Sequence, residues 1–189
     1  MAAAHRKKGS TPTSRFHIGR KGPALKFLGS FIGLMLLFYL LYYSSFYQIL
    51  LSGPIESAQA AISGALLRAL GFQAAVTGDA ISGGGFSVQI AKGCDGIEPL
   101  AMFLCAILAF PIVWRLKWPG LIAGTLVLGL LNIVRITGLF LAGLYIPSAF
   151  EFLHLHGGFV LFTVMAILVW MTWANWAIKR LRSPSQNAT

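Results

Sequence analysis

The sequence predicts an all-α polytopic membrane protein of about four transmembrane helices, with a small extracytoplasmic loop region. Three observations carry this expectation. Hydrophobic residues make up 57% of the 189 residues and charged residues only 11%, against about 25% charge in a soluble domain. Mean hydropathy is +0.75. The apolar residues also gather into runs long enough to cross a bilayer, with basic residues at their flanks. A water-soluble globule and a disordered chain are both excluded by this balance. The length suits one domain, and two cysteines cannot form a disulfide framework.

The elements follow in order. Residues 1–23 read as a disordered basic cytoplasmic tail. Its run Arg6, Lys7, Lys8 is a topogenic signal and not a nucleic-acid site. The tail and first apolar stretch are no signal peptide, because the stretch is too long and lacks a small-residue cleavage site. The membrane domain is expected over 24–178 and a second basic tail over 179–189. Its first span lies within about Ala24–Leu51. The second runs from about Asp95 to Val113 and ends in a basic turn with aromatic anchors, Trp114, Arg115, Lys117, Trp118 and Pro119. The third begins near Gly120 and leaves the hydrocarbon near Leu139, which puts Arg135 near the far interface. The fourth starts at or after His154 and ends near Trp176.

Charge orients these spans. With a cytoplasmic N-terminus, seven Lys/Arg up to Lys26, two in the Arg115 turn and three in the tail lie inside. Only Arg68, Lys92 and Arg135 lie outside, as do all five acids: Glu56, Asp79, Asp95, Glu98 and Glu151. The positive-inside rule therefore places both termini in the cytoplasm. The long loop, residues 52–93, is then extracytoplasmic. Ile55–Leu70 has the spacing of an interfacial helix carrying Glu56, Gln59 and Arg68. Phe72–Val76 and Phe86–Ile90 alternate as strands of a short β-hairpin, with Thr77–Gly85 between them.

Polar residues that apolar composition cannot explain cluster on the outer side. Cys94 precedes the second span, where Asp95 suits an N-cap and Glu98, three residues on, completes a capping-box pattern. A helix N-terminus lowers a thiol pKa. A lone cysteine is more often a small buried hydrophobe, but Gly93, Asp95 and Gly96 flank this one at a helix end. Cys105 is filler: it lies about 16 Å along the same helix and cannot pair with Cys94. Asn132 and Arg135 share a helix face at i, i+3. An intramembrane arginine is costly and marks function, against the blander alternative of snorkelling to head groups. His154 and His156 precede the fourth span, with Glu151 one turn before His154, and position alone does not choose between them. Thiol, imidazole and guanidinium from the outer ends of three spans are what acyl transfer needs. The serine-hydrolase elbow, zinc-protease motif and P-loop are absent from the sequence.

The order Cys94-Asp95-Gly96, then Asn132-Ile133-Val134-Arg135-Ile136, then His154-x-x-x-Gly158 resembles the exosortase/archaeosortase family. The resemblance covers roughly 92–176. It implies an integral membrane cysteine protease/transpeptidase of bacteria and archaea that cleaves C-terminal sorting signals of the PEP-CTERM type: a short motif, a membrane helix and a basic tail. It assigns the catalytic roles to Cys94, Arg135 and His154, with His154 preferred because a Gly and an aromatic residue, Gly158-Phe159, follow at the family spacing. Asp95, Glu98, Asn132, Glu151 and His156 are the substrate-binding or supporting candidates. Asp95 stands where the family often has Ser, and four spans replace the usual eight or so. Both features, with Gly93–Leu100 and Phe150–His154, resemble the compact exosortase H branch, which is associated with an IPTL-type motif. The implied partners are exported proteins carrying such a signal, and membrane lipid. No cofactor, metal or nucleic acid is called for. Competing readings are a non-catalytic membrane assembly factor whose Arg and His bind head groups or a partner helix, and a lipid acyltransferase.

Overall fold

Helix α1 (Lys21–Tyr42) ends at a pair of serines. Ser44 Oγ donates to the Leu41 carbonyl at 2.6 Å and accepts from the Tyr47 amide at 3.3 Å, capping a new short helix, α2 (Ser45–Leu50). The first apolar stretch is therefore two helices, not one. The computed structural model describes residues 21–152, 154 and 158–182, so most of both expected tails, and His156, lie outside the described residues. The other helices are α3 (Ser52–Ala69), α4 (Ile97–Ala109), α5 (Trp114–Tyr145), α6 (Pro147–Phe152) and α7 (Gly158–Arg182).

Among the described residues, three helices are long and apolar enough to span a membrane: Gly22–Tyr42, Trp114–Tyr145 and Gly158–Leu181. The expected second span, 95–113, is shorter than predicted. Helix α4 has 13 residues, about 20 Å at 1.5 Å per residue. Gly96 at its start is left-handed, and Phe110 at its end is extended ahead of Pro111, a residue that disfavours helix at the position before it. The expected basic turn is helical instead. Trp114–Pro119 forms the opening of α5, with Lys117 Nζ donating to the Leu108 carbonyl near the C-terminus of α4, a favourable place for a cation.

The loop region holds a three-stranded antiparallel meander rather than a two-stranded hairpin. Its strands are β1 (Ala75–Thr77), β2 (Ala80–Gly83) and β3 (Phe86–Gln89), in the order β1-β2-β3. Thr77 pairs with Ala80 and Gly83 with Phe86, so both connections are two residues long. Gly84 and Gly85 have φ of +59° and +83°, the backbone that a tight primed turn demands. The segment read as a connection thus contains the central strand.

Two apolar cores result. One joins α3, the sheet and the end of α5, through Ala60, Leu67, Ile81, Val88, Ile90, Ile136 and Phe140. This explains why α5 stays apolar beyond Leu139: its last turns pack on protein. The other joins α4, α5 and α7 through Phe103, Ile107, Leu128, Phe162, Ala166 and Trp173. Asn132 lies one turn from Leu128 of the second core and one turn from Ile136 of the first.

Helix α5 passes close to α4 at Gly124, where a Cβ would stand 2.0 Å from Phe103 Cζ. Phe103 is fully buried and cannot yield. Gly124→Val is expected to cost about 1–3 kcal/mol through overpacking, read as a lower thermal midpoint in detergent. Adding Phe103→Ala should recover part of the loss; a midpoint unchanged by Gly124→Val would contradict this packing.

Candidate active site

Strand β3 hands the chain to an irregular loop that crosses from the sheet to α4. Ile90 is buried in the sheet core and its amide donates to the Asp79 carbonyl. The Cys94 amide closes a turn on Ala91 O at 2.9 Å. The chain then enters α4 through Gly96 at φ +69°, where a Cβ would meet Asn132 Oδ1 at 2.8 Å and Phe162 at 3.0 Å. Both the left-handed backbone and the lack of space require glycine there.

The loop is buried and its polar groups are taken up one by one. The Asp95 carboxylate accepts from the Ile97 amide at 3.2 Å and from the Tyr42 hydroxyl at 3.5 Å. The Asp95 carbonyl accepts from Gln59 Nε2 at 2.8 Å and Asn132 Nδ2 at 3.0 Å. The Gly93 carbonyl accepts from Arg135 Nη2 at 3.3 Å. The expected capping box is therefore half realised. Gly96 is the N-cap, Asp95 stands one residue outside it, and Glu98 sits in the first turn of α4. Burial raises the Asp95 carboxyl above its usual range, opposed by its hydrogen bonds and by the Arg135 charge.

Cys94, Arg135 and His154 come together. Cys94 Sγ lies 3.4 Å from His154 Nδ1 and 3.9 Å from Nε2. Arg135 Nη2 reaches Sγ at 3.9 Å, and its guanidinium sits 5.8 Å from the Phe162 ring. Arg135 Nε and Nη1 are buried without a hydrogen-bond partner among the described residues. The guanidinium therefore turns inward to the loop.

The thiol environment differs from the expected one. Burial pushes the Cys94 thiol above its ordinary value; Arg135 pulls it down and Asp95 pushes it further up. The helix terminus that was expected to lower it begins three residues later, at Ile97, and its first amide is already spent on Asp95. Burial thus disfavours the thiolate of a thiol that stands beside an imidazole.

The His154 ring stacks on Phe150, with centroids 5.3 Å apart and planes 16° from parallel. Phe150 in turn meets Phe86 edge-on at 5.1 Å. Glu151, the expected orienting group, falls on α6, and its side chain lies outside what the structure describes. Cys105 is buried on α4. Tyr42, Gln59, Gly96 and Phe150 belong to the site without having been singled out for it. For Phe150 the signal was its i, i+4 spacing from His154. Gln59 had only its polarity, shared on the same helix face with Glu56 at i−3 and Ser63 at i+4. The described residues contain no cluster of metal-ligating side chains.

These features define a helical membrane protein with a thiol, an imidazole and a guanidinium gathered where its helices meet a small sheet. The chain matches the family model for transmembrane exosortase (Exosortase_EpsH) over residues 20–171. It belongs to that family. No curated protein and no solved structure matches it.

The two charges beside Cys94 yield a paired prediction. In a Cys105→Ser background, the pH midpoint of Cys94 alkylation by iodoacetamide should lie above that of an ordinary exposed thiol. Arg135→Gln should raise it further, because a cation favours the thiolate. Asp95→Asn should lower it, because an anion disfavours the thiolate. Midpoints that do not move in opposite directions would contradict the assignment.

Proposed function

We propose that the chain is a membrane cysteine protease/transpeptidase that cleaves C-terminal sorting signals of exported proteins at the outer face of the bacterial cytoplasmic membrane. The observation that carries this reading is the 3.4 Å contact between Cys94 Sγ and His154 Nδ1, with Arg135 Nη2 3.9 Å from the same sulfur. Family membership supports it.

The chemistry runs in two steps. The imidazole of His154 takes the Cys94 proton as Sγ attacks the scissile carbonyl carbon. Generating the thiolate at the moment of attack suits a thiol whose ionisation burial disfavours. The carbonyl oxygen becomes an oxyanion that accepts hydrogen bonds from Arg135, whose Nε and Nη1 have no partner among the described residues. The His154 imidazolium returns its proton to the departing amine, leaving a Cys94 thioester. Water, or an acceptor amine, attacks the thioester with His154 again as base, and the thiol is restored. Asp95 and Asn132 support the loop that carries the thiol. Glu98, four residues after Cys94, Glu151, three before His154, and His156, two after it, are supporting candidates outside the proton transfers. None of these steps calls for a cofactor.

In this reading both termini are cytoplasmic, and the sheet and the site face outward, where exported substrates arrive. The substrate's own helix stays in the membrane while its short motif reaches Cys94. The branch resemblance points to an IPTL-type motif.

Co-expression with a protein bearing a sorting signal tests the reading, with the product read by mass. The native chain should yield a product shortened at the signal, and Cys94→Ala should yield none. Full processing by Cys94→Ala would exclude the thiol mechanism and favour an assembly factor. Arg135→Lys should lose about 100-fold, the scale for one oxyanion donor, since a point charge cannot replace the planar fork. Reporter fusions should place Gly85 outside and Pro119 inside; Gly85 inside would put the site in the wrong compartment.

A further inference from the structure

The reacting groups proposed above are Cys94, Arg135 and His154, and the loop that carries the thiol spans 93–96. Gln59 belongs to neither. It projects from α3, a helix packed on the sheet and α5, and its amide nitrogen lies 2.8 Å from the Asp95 carbonyl. Asn132 Nδ2, from α5, lies 3.0 Å from the same oxygen. One buried carbonyl, directly after the nucleophile's residue, is thus gripped by two side-chain amides from two different helices.

We infer that Gln59 is a positioning residue of the active site: with Asn132 it pins the Asp95 carbonyl and so holds the Cys94 sulfur against Arg135 and His154. The inference rests on Cys94 being the reacting group.

The physical case has three parts. The loop needs holding, because its ends are glycines with φ of +86° at Gly93 and +69° at Gly96, the residue type with most freedom to lose. Its other restraints come from within the loop itself, from Tyr42 at a long 3.5 Å, and from Arg135 at 3.3 Å. The two amides make the shortest contacts that reach the loop from other elements. A carbonyl has two lone pairs, and two donors fill both. Loss of either leaves an acceptor half-satisfied in a buried site, at a cost on the scale of one hydrogen bond.

Geometry also separates the two donors. Asn132 stands one turn from Arg135 on α5, so it moves with the guanidinium. Gln59 belongs to α3 and ties the loop to the sheet core, where Ala60 and Leu67 are buried. Without Gln59 no side chain of α3 would tie the loop to the sheet core, Tyr42 holding only the Asp95 carboxylate, and the sulfur could drift from the guanidinium.

The test uses the full chain in detergent with Cys105→Ser, and reads Cys94 alkylation by iodoacetamide against pH. In the native sequence Arg135→Gln raises the midpoint. In Gln59→Met, where the amide is gone but the length is kept, the same Arg135→Gln change should move the midpoint by less than half as much. A merely structural role would lower thermal stability and leave this coupling intact, so an undiminished shift in folded Gln59→Met overturns the inference. If Gln59→Met fails to give a monodisperse peak, Gln59→Leu serves with the same two outcomes.

Turnover supplies an independent arm. On a sorting-signal protein, Gln59→Met should lower kcat about tenfold, the scale of one hydrogen bond, with KM within twofold; a rise in KM alone also overturns the positioning role. If the native chain cleaves nothing, the peptidase reading fails, and the alkylation coupling still decides the role of Gln59.

Discussion

One peptide carbonyl, that of Asp95, holds this structure's working parts in register. The segment that bears Cys94 is neither strand nor helix, so its backbone groups have no ladder to join. Buried backbone polar groups without partners cost folding free energy. Here side chains from α3 and α5, Gln59, Asn132 and Arg135, satisfy backbone carbonyls, and Tyr42 of α1 donates to the Asp95 carboxylate. The need to satisfy a short irregular loop thus draws three helices together, and the site forms where they meet.

Helix α5 links the two halves of the molecule. Its middle contributes Leu128 to the core shared with α4 and α7, and its far end contributes Ile136 and Phe140 to the core beneath the sheet. Asn132 and Arg135 occupy the boundary between them. A polar pair there is costly in an apolar helix, and the cost is offset because the loop offers the carbonyls of Gly93 and Asp95. The apolar surroundings that raise the Cys94 thiol also strengthen each electrostatic contact within the site.

Much of this was legible in the amino acids. Apolar runs identified the membrane helices, and the i, i+3 spacing of Asn132 and Arg135 put them on one face. The order of Cys94, Arg135 and His154 was readable, although their meeting is a tertiary fact. The central strand was obscured because Ala80–Gly83 lies in a stretch crowded with glycine, yet Gly84-Gly85 is itself a two-residue turn signal. The length of α4 was misjudged because apolarity continues through Phe110–Val113 after the helix has stopped; Pro111 marked the end. Gln59 could not be placed at all. Its partner is 36 residues away, and only the folding of α3 onto the sheet and α5 brings the two together.

The shortness of α4 has a bearing on where chemistry happens. At about 20 Å it falls well below the ~30 Å thickness of bilayer hydrocarbon, while α5 beside it runs for 32 residues. With Trp114, Trp118 and Lys117 marking the interfacial level near its C-terminal end, the opposite end of α4 is recessed. Such hydrophobic mismatch is relieved by local thinning of the lipid or by protein filling the gap, and the loop 93–96 is the protein that stands at this end of α4. In the proposed orientation, a short α4 would set the thiol of the preceding loop below the level that α5 reaches, where a membrane-anchored substrate emerges from its own helix. A chain embedded in the same bilayer can deliver the peptide bond just beyond its helix by sideways diffusion alone, without being pulled out of the lipid.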